Sequence, residues 1–165
     1  YCIETRLIDL TPVRAAELEA LKDITEMTDH SAANIAPRLR MTTLYSVAGS
    51  ENRLVAGTGN RSEAFVGYFT KWGDGAYDFN PISDLTVTEI YEFLRYLNAP
   101  ASIIEKAPSA GLYEGQTDEQ EMGVSYADID AVILGKEVSS PEAEAEILRR
   151  HNASLHKLNP AKTFA

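Results

Sequence analysis

Residues 53 to 69 read Arg53-Leu54-Val55-Ala56-Gly57-Thr58-Gly59-Asn60-Arg61-Ser62-Glu63-Ala64-Phe65-Val66-Gly67-Tyr68-Phe69. Arg53 to Gly57 has the apolar content of a short buried strand, and Ser62 to Phe69 is expected to form a short helix. An apolar strand, a glycine turn and a helix opened by polar residues is how α/β proteins aim backbone N–H groups and carboxylates at a phosphate. A strand that is apolar throughout suits a parallel sheet covered on both faces. Glycines also end strands for purely structural reasons, so the turn alone leaves both readings open.

Outward from this stretch, strand-like and helix-like segments alternate. Thr5 to Leu10 reads as a strand running into Thr11-Pro12, an N-cap and first helical position, so a helix is expected over Pro12 to Lys22. Asp23 to Ala33 reads as a loop, a helix follows from Ile35 or Pro37 to Val47, and Gly49 to Asn52 reads as a turn. After an aromatic and glycine-rich loop to Leu85, Thr86 with Glu89 forms a capping-box pattern. The helix it starts carries Ile90, Phe93, Leu94 and Leu97 on one side and stops before Pro100. Pro100 to Lys106 is a brief helical turn, and Ala107 to Gly123 has the content of a mobile, lid-like loop. Ser125 with Asp128 caps a helix to Leu134, and Ser140-Pro141 opens a last one to about Asn152. The tail from His151 to Ala165 shows no clear periodicity. The alternation predicts one α/β domain over residues 1–165.

Composition narrows the function classes. The 165 residues are 44% hydrophobic and 24% charged, ordinary usage for a globular chain with a real core. No run approaches the roughly 20 apolar residues that span a bilayer, and no signal segment opens the chain, so cytoplasm is the expected location and no membrane partner is expected. The single cysteine, Cys2, excludes an internal disulfide framework, and Cys/His zinc spacing is absent, so any metal is expected to be oxygen-bound. A formal charge of −10 argues against nucleic acid as a partner, because nonspecific affinity rests on clustered Lys and Arg. A nucleotide still suits an acidic protein when a divalent cation supplies positive charge.

Several residues are candidates for chemistry, each beside a plainer reading. Glu63, just inside the helix after the glycine turn, suits Mg²⁺ bridging nucleotide phosphates, or simply complements the helix N-terminal dipole. Thr58 can donate to a ligand or end a strand. Asp74 between Gly73 and Gly75 is placed for close approach to a ligand and for base chemistry, though turns use Asp there for local hydrogen bonds too. Arg38 and Lys71 can offset substrate charge or be solvated surface groups, and the same holds for His156-Lys157 in the tail.

Order and spacing add a sharper reading. Asn34 to Tyr45, Gly57-Thr58-Gly59-Asn60-Arg61-Ser62-Glu63 and Gly67-Tyr68-Phe69-Thr70-Lys71-Trp72-Gly73-Asp74-Gly75-Ala76-Tyr77-Asp78 together resemble NAD synthetases. Pro108-Ser109-Ala110-Gly111-Leu112, Gly115-Gln116-Thr117-Asp118-Glu119, Gly123-Val124-Ser125-Tyr126 and His156-Lys157 continue the resemblance in the same order. Several motifs in register are far more specific than one turn.

The resemblance implies a doubly wound, Rossmann-like parallel sheet with helices on both faces, in the N-type ATP pyrophosphatase class. It implies an ammonia-dependent, ATP-consuming ligase that converts deamido-NAD to NAD through an adenylated carboxylate, with Mg²⁺ as cofactor and a homodimer as assembly. On the matching positions it implies Glu63 as Mg²⁺ ligand and Thr58 and Ser109 as ATP contacts. Arg38, Lys71, Asp78, His156 and Lys157 become deamido-NAD contacts, and Asp74 the carboxylate of the ammonia site.

Two departures stand out. A Ser-Gly-Gly-x-Asp-Ser pyrophosphate loop with its strand-loop-helix segment is absent from these residues, which on the resemblance leaves the chain as given without catalysis. Val87 stands where many relatives carry a Lys that contacts ATP. The competing readings are another N-type ATP pyrophosphatase, such as a GMP synthetase or a tRNA-modifying enzyme, and a non-catalytic chain that dimerises or binds nucleotide.

Overall fold

Thr28, Asn60, Thr86, Thr117, Ser125 and Ser140 each precede a helix and accept, through a side-chain oxygen, a backbone N–H of its first turn. Such caps satisfy donors that have no partner inside the helix, which is why these polar residues set the helix starts. The chain is seen in a computed structural model that describes residues 3–109, 115, 117–161 and 163. These fall into two compact units, one made of the residues up to Val55 with Thr70–Asp78, the other of Ala56–Phe69 with Phe79 onward.

The first unit holds α1 (Thr11–Leu21), α2 (Asp29–Ala33) and α3 (Ile35–Glu51), with α1 and α2 both packed on α3. Ala33, Ile35, Pro37, Ala48 and Val55 are among its buried apolar residues. Thr11 lies inside α1 rather than capping it, and the Asp9 carboxylate takes the Thr11 N–H at 2.9 Å instead. α2 falls within the expected loop Asp23 to Ala33, where Thr28 supplies the cap.

α3 runs past Val47 to Glu51, so the turn expected at Gly49 begins only at Asn52, whose φ of 53° is left-handed. Ser46 and Ser50 donate their hydroxyls to the Thr42 and Ser46 carbonyls at 2.8 and 2.7 Å, so these side chains are bonded within the helix and not to a turn. The strand expected at Thr5 to Leu10 makes no ladder among the described residues, and Leu7 is exposed. A strand exists only through the neighbour it pairs with.

The second unit holds α4 (Arg61–Val66), α5 (Val87–Tyr96), α6 (Ala101–Ile104), α7 (Asp118–Met122), α8 (Tyr126–Leu134) and α9 (Pro141–Leu158). α4, α5 and α9 all pack on α8, while α9 also meets α4 and α6 meets α5. The core gathers Val66, Val87, Met122, Val124, Tyr126, Ile129 and Ile147. Ile129 and Ile147 are completely buried, each worth roughly 1.5–3 kcal/mol in apolar surface removed from water.

Of the expected strand Arg53 to Gly57, the described residues retain one parallel bridge, Ala56 to Phe79, with Gly57 N–H donating to the Phe79 carbonyl at 2.7 Å. α4 stops at Val66 rather than Phe69 because Gly67 turns left-handed at φ 68°. Along α5, Ile90 and Leu94 are half-buried while Phe93 and Leu97 stay exposed, so only part of the expected apolar side is covered.

α7 lies in the stretch Ala107 to Gly123 expected as a loop. Residues 110–114 and 116 of that stretch, with the motif members Ala110, Gly111, Leu112 and Gln116, lie outside the described residues. α9 continues beyond Asn152 to Leu158, taking in residues expected as an irregular tail. Its stop is written in Asn159-Pro160, since Pro forces the residue before it into the extended backbone seen at Asn159.

Candidate active site

In the second unit the glycine turn delivers Thr58, which is exposed, into the start of α4. Asn60 and Glu63 form a reciprocal capping box: Asn60 Oδ1 accepts the Glu63 N–H at 2.9 Å, and Glu63 Oε2 accepts the Asn60 N–H at 2.8 Å. The Glu63 carboxylate is therefore held by its own helix terminus, half-buried at the rim of the turn. Neighbouring bonds hold the turn as well, with Asn80 Nδ2 donating to the Gly59 carbonyl at 2.8 Å and Arg61 N–H to the Leu85 carbonyl at 2.8 Å.

Behind α4 lies an acidic and phenolic cluster. Tyr68 donates to Glu121 at 2.6 Å and lies 3.1 Å from Asp118 Oδ1, and Tyr126 donates to Asp118 Oδ2 at 3.0 Å. Burial, then the Glu121 hydrogen bond and the Asp118 charge, push the Tyr68 hydroxyl far above its ordinary range. Burial, then the charges of Glu63 and Asp118, do the same to Tyr126. Both phenols stay protonated and act as fixed donors. Asp118 is buried, and residue chemistry alone offered no sign that a carboxylate in an expected loop would be.

A second buried carboxylate also escaped the sequence. Asp130 on α8 accepts the Ser62 hydroxyl of α4 through Oδ1, and through Oδ2 the Thr88 N–H at 2.8 Å and the Thr88 hydroxyl at 2.6 Å. Ser62 Oγ in turn accepts the Val87 N–H at 3.0 Å. Val87 itself packs in the core at the first turn of α5, an apolar role for this departure from the family pattern.

The C-terminal turns of α9 fasten the end of α4. The Phe65 and His151 rings stack with centroids 4.2 Å apart, and His151 Nδ1 lies 2.8 Å from the Phe65 carbonyl. Lys157 donates to the Gly67 and Phe69 carbonyls at 2.7 and 2.8 Å, with its ammonium over the Phe69 ring. Lys157 is thus neither a solvated tail residue nor committed wholly to a ligand. His156 is exposed, its Nδ1 3.1 Å from the Ala153 carbonyl one turn back. Ser109 is also exposed.

The first unit brings together Arg38, Lys71, Asp74 and Asp78. Arg38 Nε donates to the Lys71 carbonyl at 3.3 Å, and the Lys71 ammonium lies 5.4 Å from the Trp72 ring. Asp74 Oδ1 accepts the Thr70 N–H at 3.0 Å and closes the turn, leaving the side chain at the surface. Gly73 is packed on Pro37, where an added Cβ would stand 3.0 Å from the proline side chain, so packing by itself already favours glycine here. Asp78 Oδ2 accepts the Val55 N–H at 2.7 Å, and Tyr45 reaches Oδ1 at 3.4 Å.

Among the described residues no group of three or more His, Cys, Asp or Glu side chains is gathered to hold a metal by itself. A single half-buried carboxylate such as Glu63 fits a cation whose other ligands are phosphate oxygens and water. No helix of the described residues is long and apolar enough to cross a membrane.

Residues 1–163 match the family described as NAD synthase. The chain belongs to the NAD synthase family. It is 53% identical over 153 residues to the NH(3)-dependent NAD(+) synthetase of Carboxydothermus hydrogenoformans, an alignment covering 92% of this chain and 63% of that protein. Among solved structures it resembles an NMN synthetase from Francisella tularensis at a TM-score of 0.92 and 44% identity, over 98% of this chain and 66% of the other. It also resembles an NH3-dependent NAD synthetase from Campylobacter jejuni at a TM-score of 0.75 and 30% identity, over 96% of this chain and 64% of the other. The chain thus spans about 63% of the length of the curated relative and has the α/β, adenine nucleotide alpha hydrolase-like fold of NAD synthetases.

Proposed function

We propose that the protein containing this chain is an ammonia-dependent NAD synthetase, amidating deamido-NAD with ATP as co-substrate. The family match over residues 1–163 carries the reading and supports treating the two compact units as parts of one domain. A carboxylate is a poor acyl donor until a leaving group is attached. ATP adenylates the nicotinate carboxylate and releases pyrophosphate, and ammonia then attacks the acyl carbon and expels AMP. Such chemistry depends mainly on placement and on charge stabilisation.

In this reading Thr58 and Ser109 contact ATP. Arg38, Lys71, Asp78, His156 and Lys157 hold deamido-NAD, the three cations offsetting its phosphates and carboxylate. Asp74, at the surface of its turn, binds ammonium and helps remove its proton before attack. Glu63 holds Mg²⁺ together with substrate phosphates, and a bound Mg²⁺ would supply charge neutralisation for nucleotidyl transfer. A homodimer and a cytoplasmic location belong to the same proposal.

The intact protein supplied with ATP, Mg²⁺, deamido-NAD and NH₄⁺ is expected to release NAD, AMP and pyrophosphate in equal amounts. Release of AMP without an amidated product would sink the reading. A second reading, with NMN as product, is favoured by the NMN synthetase at a TM-score of 0.92. Offering the deamido forms of NAD and NMN side by side separates the two by which amide appears.

A further inference from the structure

We propose that Asp130 is a positioning residue that sets the first turns of α4 and α5 from one buried point and thereby places Glu63 and the turn at Thr58 for Mg²⁺ and ATP. The inference rests on the reading of Glu63 and Thr58 given above. α4 has only six residues, too few to hold a helical geometry without outside contacts. Ser62, fully buried, is the residue before Glu63, and its hydroxyl donates to Asp130. The same hydroxyl accepts the Val87 N–H, while the second Asp130 oxygen takes the Thr88 N–H and hydroxyl.

Asp130 is 3% exposed, and the partners it shows are the Ser62 hydroxyl of α4 and the Thr88 hydroxyl and amide at the N-terminal turn of α5. A carboxylate desolvated this far has to be repaid by hydrogen bonds and by a favourable helix terminus. An apolar residue would fill the space without that cost. What an apolar residue lacks is a shared, directional link between two helix starts, one of which leads into Glu63.

The link is tested with Asp130→Asn, Thr88→Ala, Thr88→Ser and the core variant Ile147→Val in the intact protein, folding being checked by circular dichroism. Mn²⁺ with ATP is titrated by electron paramagnetic resonance, and the KM for ATP is separated from kcat. Asp130→Asn is expected to weaken Mn²⁺·ATP binding about 10- to 100-fold, the range for residues that orient metal ligands. Thr88→Ala should show a smaller loss that Thr88→Ser restores, which keeps the test open if Asp130→Asn fails to fold. Ile147→Val, which lowers the melting temperature without touching the link, should bind Mn²⁺·ATP as the wild type does.

Unchanged binding in folded Asp130→Asn, or an equal loss in Ile147→Val at matched melting temperature, overturns the positioning role. If Asp130→Asn does not fold, equal binding by Thr88→Ala and wild type overturns it. Wild-type protein that binds no Mn²⁺·ATP refutes the ATP reading itself, and this inference with it.

Discussion

Replacing Gly67 with Ala is expected to be among the most damaging single-methyl changes in the chain. Gly67 adopts φ +68°, and a Cβ added there would stand 2.1 Å from Ser154 Cβ and 2.5 Å from its hydroxyl. Two penalties apply together. Left-handed backbone costs an L-residue roughly 1–2 kcal/mol, and forcing a methyl into a filled site costs roughly 1–3 kcal/mol, so about 2–5 kcal/mol is expected in total. Gly135 supplies the control, with φ +64° and nothing within 4 Å of an added Cβ. Gly135→Ala should therefore show only the backbone part, about 1–2 kcal/mol.

Combining Gly67→Ala with Ser154→Gly removes the atoms in the way, since the next contact, Ser154 Cα, lies at an ordinary 3.5 Å. Rescue should amount to about 1–3 kcal/mol of coupling in a double-mutant cycle. Urea unfolding followed by circular dichroism gives each value from the midpoint at constant slope. Equal destabilisation by Gly67→Ala and Gly135→Ala, or no rescue by Ser154→Gly, would show that α4 and α9 do not approach as described.

Other expectations follow from the same contacts. Lys157→Met removes donors to the Gly67 and Phe69 carbonyls and should cost about 1–2 kcal/mol in ligand-free protein; an unchanged melting temperature would leave Lys157 with a ligand role alone. Asp74→Asn keeps an oxygen for the Thr70 N–H but loses the charge, so ammonia-dependent turnover should fall roughly 10²- to 10⁴-fold with the fold intact, and undiminished turnover would remove the base assignment. Thr86→Ala deletes the cap of α5 and should cost about 0.5–2 kcal/mol by urea unfolding.

The Arg149 hydrogen bond holds Glu146 at about 2, below its ordinary value of 4.5. A folded-state value below the unfolded one stabilises the protein at higher pH, and the contribution is lost as pH falls from about 4.5 towards 2. Because the pair is largely exposed, the effect should be small and shrink with added salt. Glu146→Gln should flatten that part of the acid unfolding curve at low ionic strength.

Some helix starts were legible because capping is settled within a few residues, while Thr11 lies inside α1 and the starts of α2 and α7 fell in expected loops. Thr86 with Glu89 and Ser125 with Asp128 form the bonds their spacing announces. Helix ends were less legible. Gly49 and Ser50 read as a turn, yet α3 runs on to Glu51 with the Ser50 hydroxyl bonded back to the Ser46 carbonyl. In α9 the absence of periodicity after Asn152 hid only the last turns of an expected helix, which ends where Pro160 compels it.

The residues and their order determined, without any coordinates, the family and the α/β class, and they proposed the short list from Arg38 to Lys157. Motifs are local in sequence, and many in register identify a family whatever their contacts. Tertiary structure alone decided what those side chains touch: Lys157 on carbonyls 90 and 88 positions away, and Asp130 against Ser62 at a separation of 68. Partners so far apart are chosen by the packing of α4, α8 and α9 around a common core, and one-dimensional spacing carries no record of that packing.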